Sequence, residues 1–206
     1  MLLSHRRRQR GGPPLSRPRE LGIALVEAAF VTPVFFMLVL GVVEIGLAMN
    51  DSLGLTHTVR AGTRVASASG NDVYADYGIL KAIQRESTAI PRGYIKYIVI
   101  YKATSVGAAP DASCMLGNDV STSTVKCNSY TPLDFNKPKS DFGTCTQAKA
   151  LDWAYCPSTR RIILTSPGPD YIGVWIKMEH PWVTYMFGNK LTLTDQSVIQ
   201  LEPREK

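Results

Sequence analysis

The chain has 206 residues, 45% hydrophobic and 19% charged, with a formal charge of +6, enough for one modest domain plus appendages. The charge is concentrated at one end. Residues 1–22 hold six arginines (Arg6, Arg7, Arg8, Arg10, Arg17, Arg19) against one acid, Glu20, while the remainder carries 17 basic and 16 acidic residues, so the body has no basic excess with which to neutralise phosphates and a nucleic-acid partner is not expected.

After this basic leader, Ile23 to Met49 is almost wholly apolar. As a helix at about 1.5 Å per residue it spans roughly 40 Å, enough for a hydrocarbon core of ~30 Å. Its uncharged run, Ala28–Val43, is flanked by Glu27 and Glu44, which places both acids near the two interfaces, where a charge costs less than at the bilayer centre. Pro33 is expected to kink the helix rather than end it. The arginines ahead of the span favour a cytoplasmic N-terminus and an extracytoplasmic body. A cleaved secretory signal fits poorly, because the apolar run is too long for an ordinary signal core and no small-x-small site precedes a mature start.

Residues 50–70 are expected to continue the helix, with Leu55, Val59, Gly62, Ala66 and Ser69 on one side and Arg60 and Arg64 on another. The small residues around Gly62 allow close approach of a second helix, either this protein's own or a neighbour's. Gly70-Asn71-Asp72 is a stop followed by a cap signal. A second helix from about Val73 to Thr88 has a narrow stripe of Val73, Tyr77, Leu80 and Ile83, and Pro91-Arg92-Gly93 closes it. Residues 94–103, YIKYIVIYKA, alternate as a strand, with Ile95, Tyr97, Val99, Tyr101 and Ala103 on one face and Ile98 and Ile100 on the other. Residues 105–160 read as a long connection containing all four cysteines, Cys114, Cys127, Cys145 and Cys156. An even cysteine count in a loop-rich stretch beyond a membrane segment points to disulfides and an oxidising compartment. Four cysteines allow three pairings, and sequence proximity alone favours Cys114 with Cys127 and Cys145 with Cys156. Strands are expected at 161–166 and at 172–180, with Ile172, Val174, Ile176 and Met178 inward. Residues 191–201 supply a final strand or two, with Leu191, Leu193, Ile199 and Leu201 inward, and 182–187 fits a strand or a short helix.

The resulting fold class is α+β: a long N-terminal transmembrane helix running into an extracytoplasmic domain with a small antiparallel sheet and a disulfide-bearing loop region. Its divisions are a leader (1–22), the span (23–49), a helical segment (50–90) and a β-rich domain (91–206). No catalytic motif stands out: there is no GxSxG, HExxH or phosphate-binding glycine loop, and no two carboxylates share one face of an identified element. His180, before Pro181, reads as a loop histidine, and three histidines without a CxxC pair give no zinc spacing. Neither an enzyme, a metal nor a cofactor is expected.

The order basic leader, Gly22, four apolar residues, Glu27, long apolar helix resembles the type IV prepilin processing signature. That resemblance implies a membrane peptidase cutting after Gly22 on the cytoplasmic side and leaving Ile23 with a free α-amine. The amine would lie about one helical turn from Glu27, and a carboxylate also suits a helix N-terminus. In an assembly Glu27 would meet the terminal amine of a neighbour, and an acid in an apolar interface penalises wrong register because misplacement leaves it unpaired.

More of the chain is similar to the TadE-like family, the pseudopilins of tight-adherence pilus systems: Gly22, Val26-Glu27, Pro33 within the span, Gly41 with Glu44, and Arg60-Ala61-Gly62 with Arg64. The C-terminal stretch PDYIGVWIKMEHPWVTYMFGNKLTLTDQSVIQLEP resembles actinobacterial members. The resemblance implies a minor pilin or pseudopilin whose partners are a prepilin peptidase, membrane lipid, other pilin-like subunits and the pilus assembly machinery. The competing expectation is an uncleaved, single-pass, membrane-anchored binding module, for which exposed aromatics among Trp153, Tyr155, Trp175 and Trp182 would speak.

Overall fold

The computed structural model describes residues 18–91, 93–146 and 149–203; most of the basic leader lies outside them. The first helix, α1, runs Pro18–Ser69 with Pro33 inside it. The chain forms two compact units, one ending at Val42 and one beginning at Val43. In the first, every side chain described from Gly22 to Leu40 is exposed, including Phe30 at 76% and Leu38 at 66%. One N-terminal helix, Gly22–Ser69, is thus long and apolar enough to cross a membrane.

In the second unit the same helix becomes amphipathic. Glu44, Ala48, Asp51, Leu55, Val59, Gly62 and Ala66 are buried, at steps of three and four that place them on one stripe. Between them Ile45, Leu47, Met49 and Leu53 remain exposed. The helix stops at Gly70, whose φ of 57° is the left-handed conformation that ends many helices and that glycine adopts without steric cost.

Helix α2, Ala75–Glu86, follows, and a single 3-10 turn over Ser87–Ala89 completes it. Its buried side is Asp76, Ile79, Leu80 and Ile83, so the stripe starts further along than the sequence suggested: Val73 is 42% exposed. Strand β1, Ile95–Ala103, precedes a short helix, α3 (Ala112–Met115), and two strands, β2 (Val120–Ser121) and β3 (Lys126–Tyr130). Two long strands, β4 (Tyr171–Pro181) and β5 (Lys190–Gln200), end the fold. The order across the sheet is β2-β3-β1-β4-β5, and every pairing is antiparallel.

One sheet face packs on the helices: Ile98, Ile100, Ile172, Val174, Ile176 and Met178 share a core with Leu55, Val59, Ile79, Leu80 and Ile83. The other face carries a smaller cluster of Val99, Tyr101, Ala103, Trp175 and the disulfide Cys114–Cys127. A register shift between Ile95 and Tyr97 breaks the alternation of β1, so Ile95 joins the helix-facing core rather than the face of Tyr97, Val99 and Tyr101. Gly173 lies under the Tyr101 ring, where a Cβ would come within 2.2 Å of it. The Tyr101 hydroxyl reaches over to donate to the Ala108 carbonyl at 2.6 Å and fixes the loop beyond β1.

Two expectations need correction. The stretch 105–160 is not only a connection. It supplies β2 and β3, and β3 pairs directly with β1. Its composition hid this, because KCNSY is polar and two of its buried residues, Asn128 and Tyr130, satisfy their polar atoms through partners far away in sequence. Conversely, 161–166 is not a strand. Arg161 there donates to the Thr165 and Ser166 carbonyls at 2.6 and 2.9 Å, curling the segment into a turn. Of the final strand's residues, Leu201 is buried, while Leu191, Leu193 and Ile199 are half-buried on the sheet edge.

Candidate functional site

The sequence directs attention to the start of α1, and the structure leaves it open. Gly22 has nothing within 4 Å of where a Cβ would stand. Ile23 is 70% exposed. Glu27 is exposed and makes no hydrogen bond or ion pair among the described residues. These three residues are therefore open to a peptidase, to lipid or to another chain.

Glu44, at the other end of the uncharged run, is held quite differently. It is 2% exposed, and its Oε1 accepts the Thr184 backbone N–H from the β4–β5 loop. Two turns on, Asp51 meets His180 of β4, with Nδ1 to Oδ2 at 2.6 Å. His180 is buried between the rings of Tyr94 and Trp182, both edge-on to it, so it is a packed strand-end residue rather than the loop histidine its position suggested. Further along, the Thr63 hydroxyl donates to the Ser197 carbonyl at 3.4 Å, and Ser67 Oγ donates to the Gln200 carbonyl at 3.0 Å. The Glu202 N–H donates back to the Ser67 carbonyl at 3.2 Å. These contacts hold the C-terminal strand pair against α1.

Arg60 and Arg64 are exposed. Gly62 is buried, and a Cβ added there would stand 2.8 Å from Ile83 Cγ1 and 3.0 Å from Ile83 Cδ1. The small residue thus serves the close approach of α2 within this chain. The two arginines face away from that contact.

The cysteines form Cys114–Cys127 and Cys145–Cys156. The first joins α3 to β3 on the outer face of the sheet; the second closes the segment before Arg160.

A buried polar network was not foreseen. Asp76, 0% exposed, pairs with Arg160 at 2.5 Å and accepts from Tyr130 Oη and Asn128 Nδ2, each at 2.8 Å. The guanidinium lies over the Tyr155 ring, 4.4 Å from its centroid. Burial opposes the charge on Arg160, but Asp76 and the Tyr155 hydroxyl beside it hold its pKa above the usual arginine value. Burial and the neighbouring Asp76 carboxylate push the Tyr130 hydroxyl well up. Close by, the Asp152 carboxylate accepts the Gly143 N–H at 2.9 Å on both oxygens, and burial pushes its pKa up to about 6. Taking charges out of water is costly, so such a pair fixes one geometry more than it adds stability. Here it ties α2 to β3 and to the loop before β4. The only hint in the sequence is an acid in the first turn of an amphipathic helix.

Among the described residues no group of three His, Cys, Asp or Glu side chains is arranged to hold a metal ion. A shallow recess of about 310 Å³ lies between Lys102–Thr104, Thr124 and Pro167–Tyr171, and the Lys102–Asp170 ion pair (2.7 Å) closes its polar side.

No curated protein and no solved structure matches the chain significantly. A family model does: residues 22–64 match the model described as TadE-like protein. The matched stretch begins at the open glycine, passes through Glu27 and Glu44, and ends at Arg64, so it covers the exposed span and the part of α1 against which the domain packs. Over residues 22–64 the chain is similar to TadE-like proteins, a family that suggests a pilus-related, minor-pilin-like component with pilus-associated partners.

Proposed function

We propose that this protein is a minor pilin or pseudopilin that contributes to assembly of a tight-adherence type IV pilus and so to surface adhesion. In this reading the arginine-rich leader stays in the cytoplasm. A prepilin peptidase cuts between Gly22 and Ile23. The domain lies outside the membrane, where its two disulfides persist. The role is mechanical rather than catalytic: the exposed part of α1 is the element that neighbouring subunits and the assembly machinery grip, and Glu27 sets their register by pairing with an α-amine on Ile23.

The observation that carries this reading is that the family match opens on a stretch, residues 22–40, that is exposed throughout and whose one acid, Glu27, has no partner among the described residues. An uncompensated carboxylate at the edge of an apolar helix is costly unless a positive group meets it there, and the amine released by processing is such a group. The competing reading, an uncleaved membrane-anchored binding module, gains little from the aromatics. Tyr155, Trp175 and Trp182 are buried in the domain and Trp153 is half-buried, so none of the four is displayed for a ligand.

Mass spectrometry of the protein recovered from native membranes tests the reading. A mature chain beginning at Ile23 supports it; a chain beginning at Met1 supports the anchored module.

A further inference from the structure

The β4–β5 loop is the most unusual surface of the domain. From Trp182 to Asn189 it contains no charged residue. Val183 (71% exposed), Tyr185 (68%), Met186 (43%) and Phe187 (48%) project from it. Four neighbouring apolar side chains in water form the kind of patch that marks a binding surface.

What covers this patch follows from where the loop is tied. The Glu44 carboxylate accepts the Thr184 N–H, and the Asp51–His180 pair fixes the base of the loop seven residues further along α1. The aromatic row His180–Trp182–Phe187, with ring centroids 5.4 and 5.2 Å apart, stiffens it from inside. The tip is therefore held at the level of Glu44, the first residue after the uncharged run Ala28–Val43.

The lipid-compatible surface of α1 does not stop at that level. Glu44 and Asp51 are both turned into the domain, and between Val43 and Leu53 the exposed side chains of the helix include Ile45, Leu47 and Met49 and no charge. From Ala28 to Leu53 the helix exposes no charged side chain over about 39 Å, some 9 Å more than a ~30 Å hydrocarbon core requires. The excess belongs to the interface, which is where Tyr and Trp rings with an apolar body and a polar tip are favoured.

We propose that the β4–β5 tip, Val183–Phe187, seats in the lipid interface beside α1. A single-pass protein then touches the bilayer at two points, and Glu44 and Asp51 are the clamps that hold the tip to α1. This rests on the reading of α1 as a membrane span.

The test uses the full-length protein in nanodiscs of phosphatidylethanolamine and phosphatidylglycerol whose acyl chains carry bromine, with an environment-sensitive fluorescent amino acid placed singly at position 36, 183 or 106. Position 36 lies within the span. Val106 is 72% exposed just past the end of β1 that pairs with the start of β4, so it is the far-end control. The proposal predicts strong quenching at 36, at least twofold quenching at 183, and none at 106. Adding Glu44→Ala should lower quenching at 183 while leaving 36 unchanged. Quenching at 36 with 183 behaving like 106 overturns the proposal and leaves the span standing. A blue-shifted but unquenched probe at 183 also overturns it, because a second copy of the chain then covers the tip. No quenching at 36 removes the span and the proposal with it.

Discussion

Glu27 and Glu44 flank the same uncharged stretch of α1, and the protein treats them in opposite ways. Glu44 lies in the domain-packed half of the helix, where a backbone N–H is presented to it and solvent is excluded. Glu27 lies in the exposed half with no partner among the described residues. One acid has a partner within the fold for Oε1, though its buried Oε2 has none; the other has no partner among the described residues. The contrast extends to the whole helix. Its buried half is a stripe of small and branched residues fitted to α2 and the sheet, while its exposed half has apolar side chains on every side, as a helix surrounded by lipid or by other helices does. Changes in the packed half should therefore register as stability, and changes in the exposed half as assembly.

The largest stability effect is expected from Arg160→Ala, which strands the Asp76 carboxylate in the core. Breaking one side of a buried pair typically costs about 3–5 kcal/mol, and denaturant unfolding of the protein in detergent should show the loss. Next come the disulfides. Replacing either pair by serines removes a cross-link that closes a loop of 13 or 11 residues and should cost about 3 kcal/mol, read by the same unfolding curves. Gly62→Val follows, at about 1–3 kcal/mol, because its side chain must displace Ile83.

A smaller effect is a pH dependence centred on Asp152. Its folded pKa, pushed up by burial to about 6, lies above the unfolded value of 3.8. The folded state therefore binds more protons between those values. The contribution of this group to stability is fully present below about pH 4 and is lost as pH rises through 6. Asp152→Asn should flatten that part of the stability–pH profile measured by thermal melting, and a slope unchanged by the substitution would reassign it to other groups. The smallest stability effect is expected from Glu27→Gln. An exposed site of this kind should shift unfolding by no more than about 0.5 kcal/mol. A large destabilisation there would erase the distinction between the two halves of the helix.

The sequence makes the exposed half more legible than the packed half. An apolar run with acids at its ends needs no tertiary information to be read, and the strand 172–180 shows its helix-facing residues in plain alternation. Reading fails where a residue's partner is distant in the chain. Asn128 and Tyr130 look like loop residues until Asp76 is placed beside them. His180 looks isolated until the helix brings Asp51 to it. The β1 alternation misleads at Ile95 because a local register shift leaves no mark in a run of alternating apolar residues. RIILTS has strand-like composition, but Arg161 bonds its own segment instead of a neighbouring strand. Glu44 is the instructive intermediate case. Its position at the end of an apolar run is readable, whereas its partner, a backbone amide 140 residues away, is not.

The most direct test compares the unaltered chain with Glu27→Gln in native membranes, using a photocrosslinking amino acid at position 30, where Phe30 is exposed. The measured quantity is the yield of crosslinks to other pilus components, with the melting temperature of each protein as the check on folding. The account predicts that the neutral side chain cuts the crosslink yield at least tenfold at an unchanged melting temperature. Undiminished crosslinking by the Glu27→Gln chain, with pilus production intact, would contradict it.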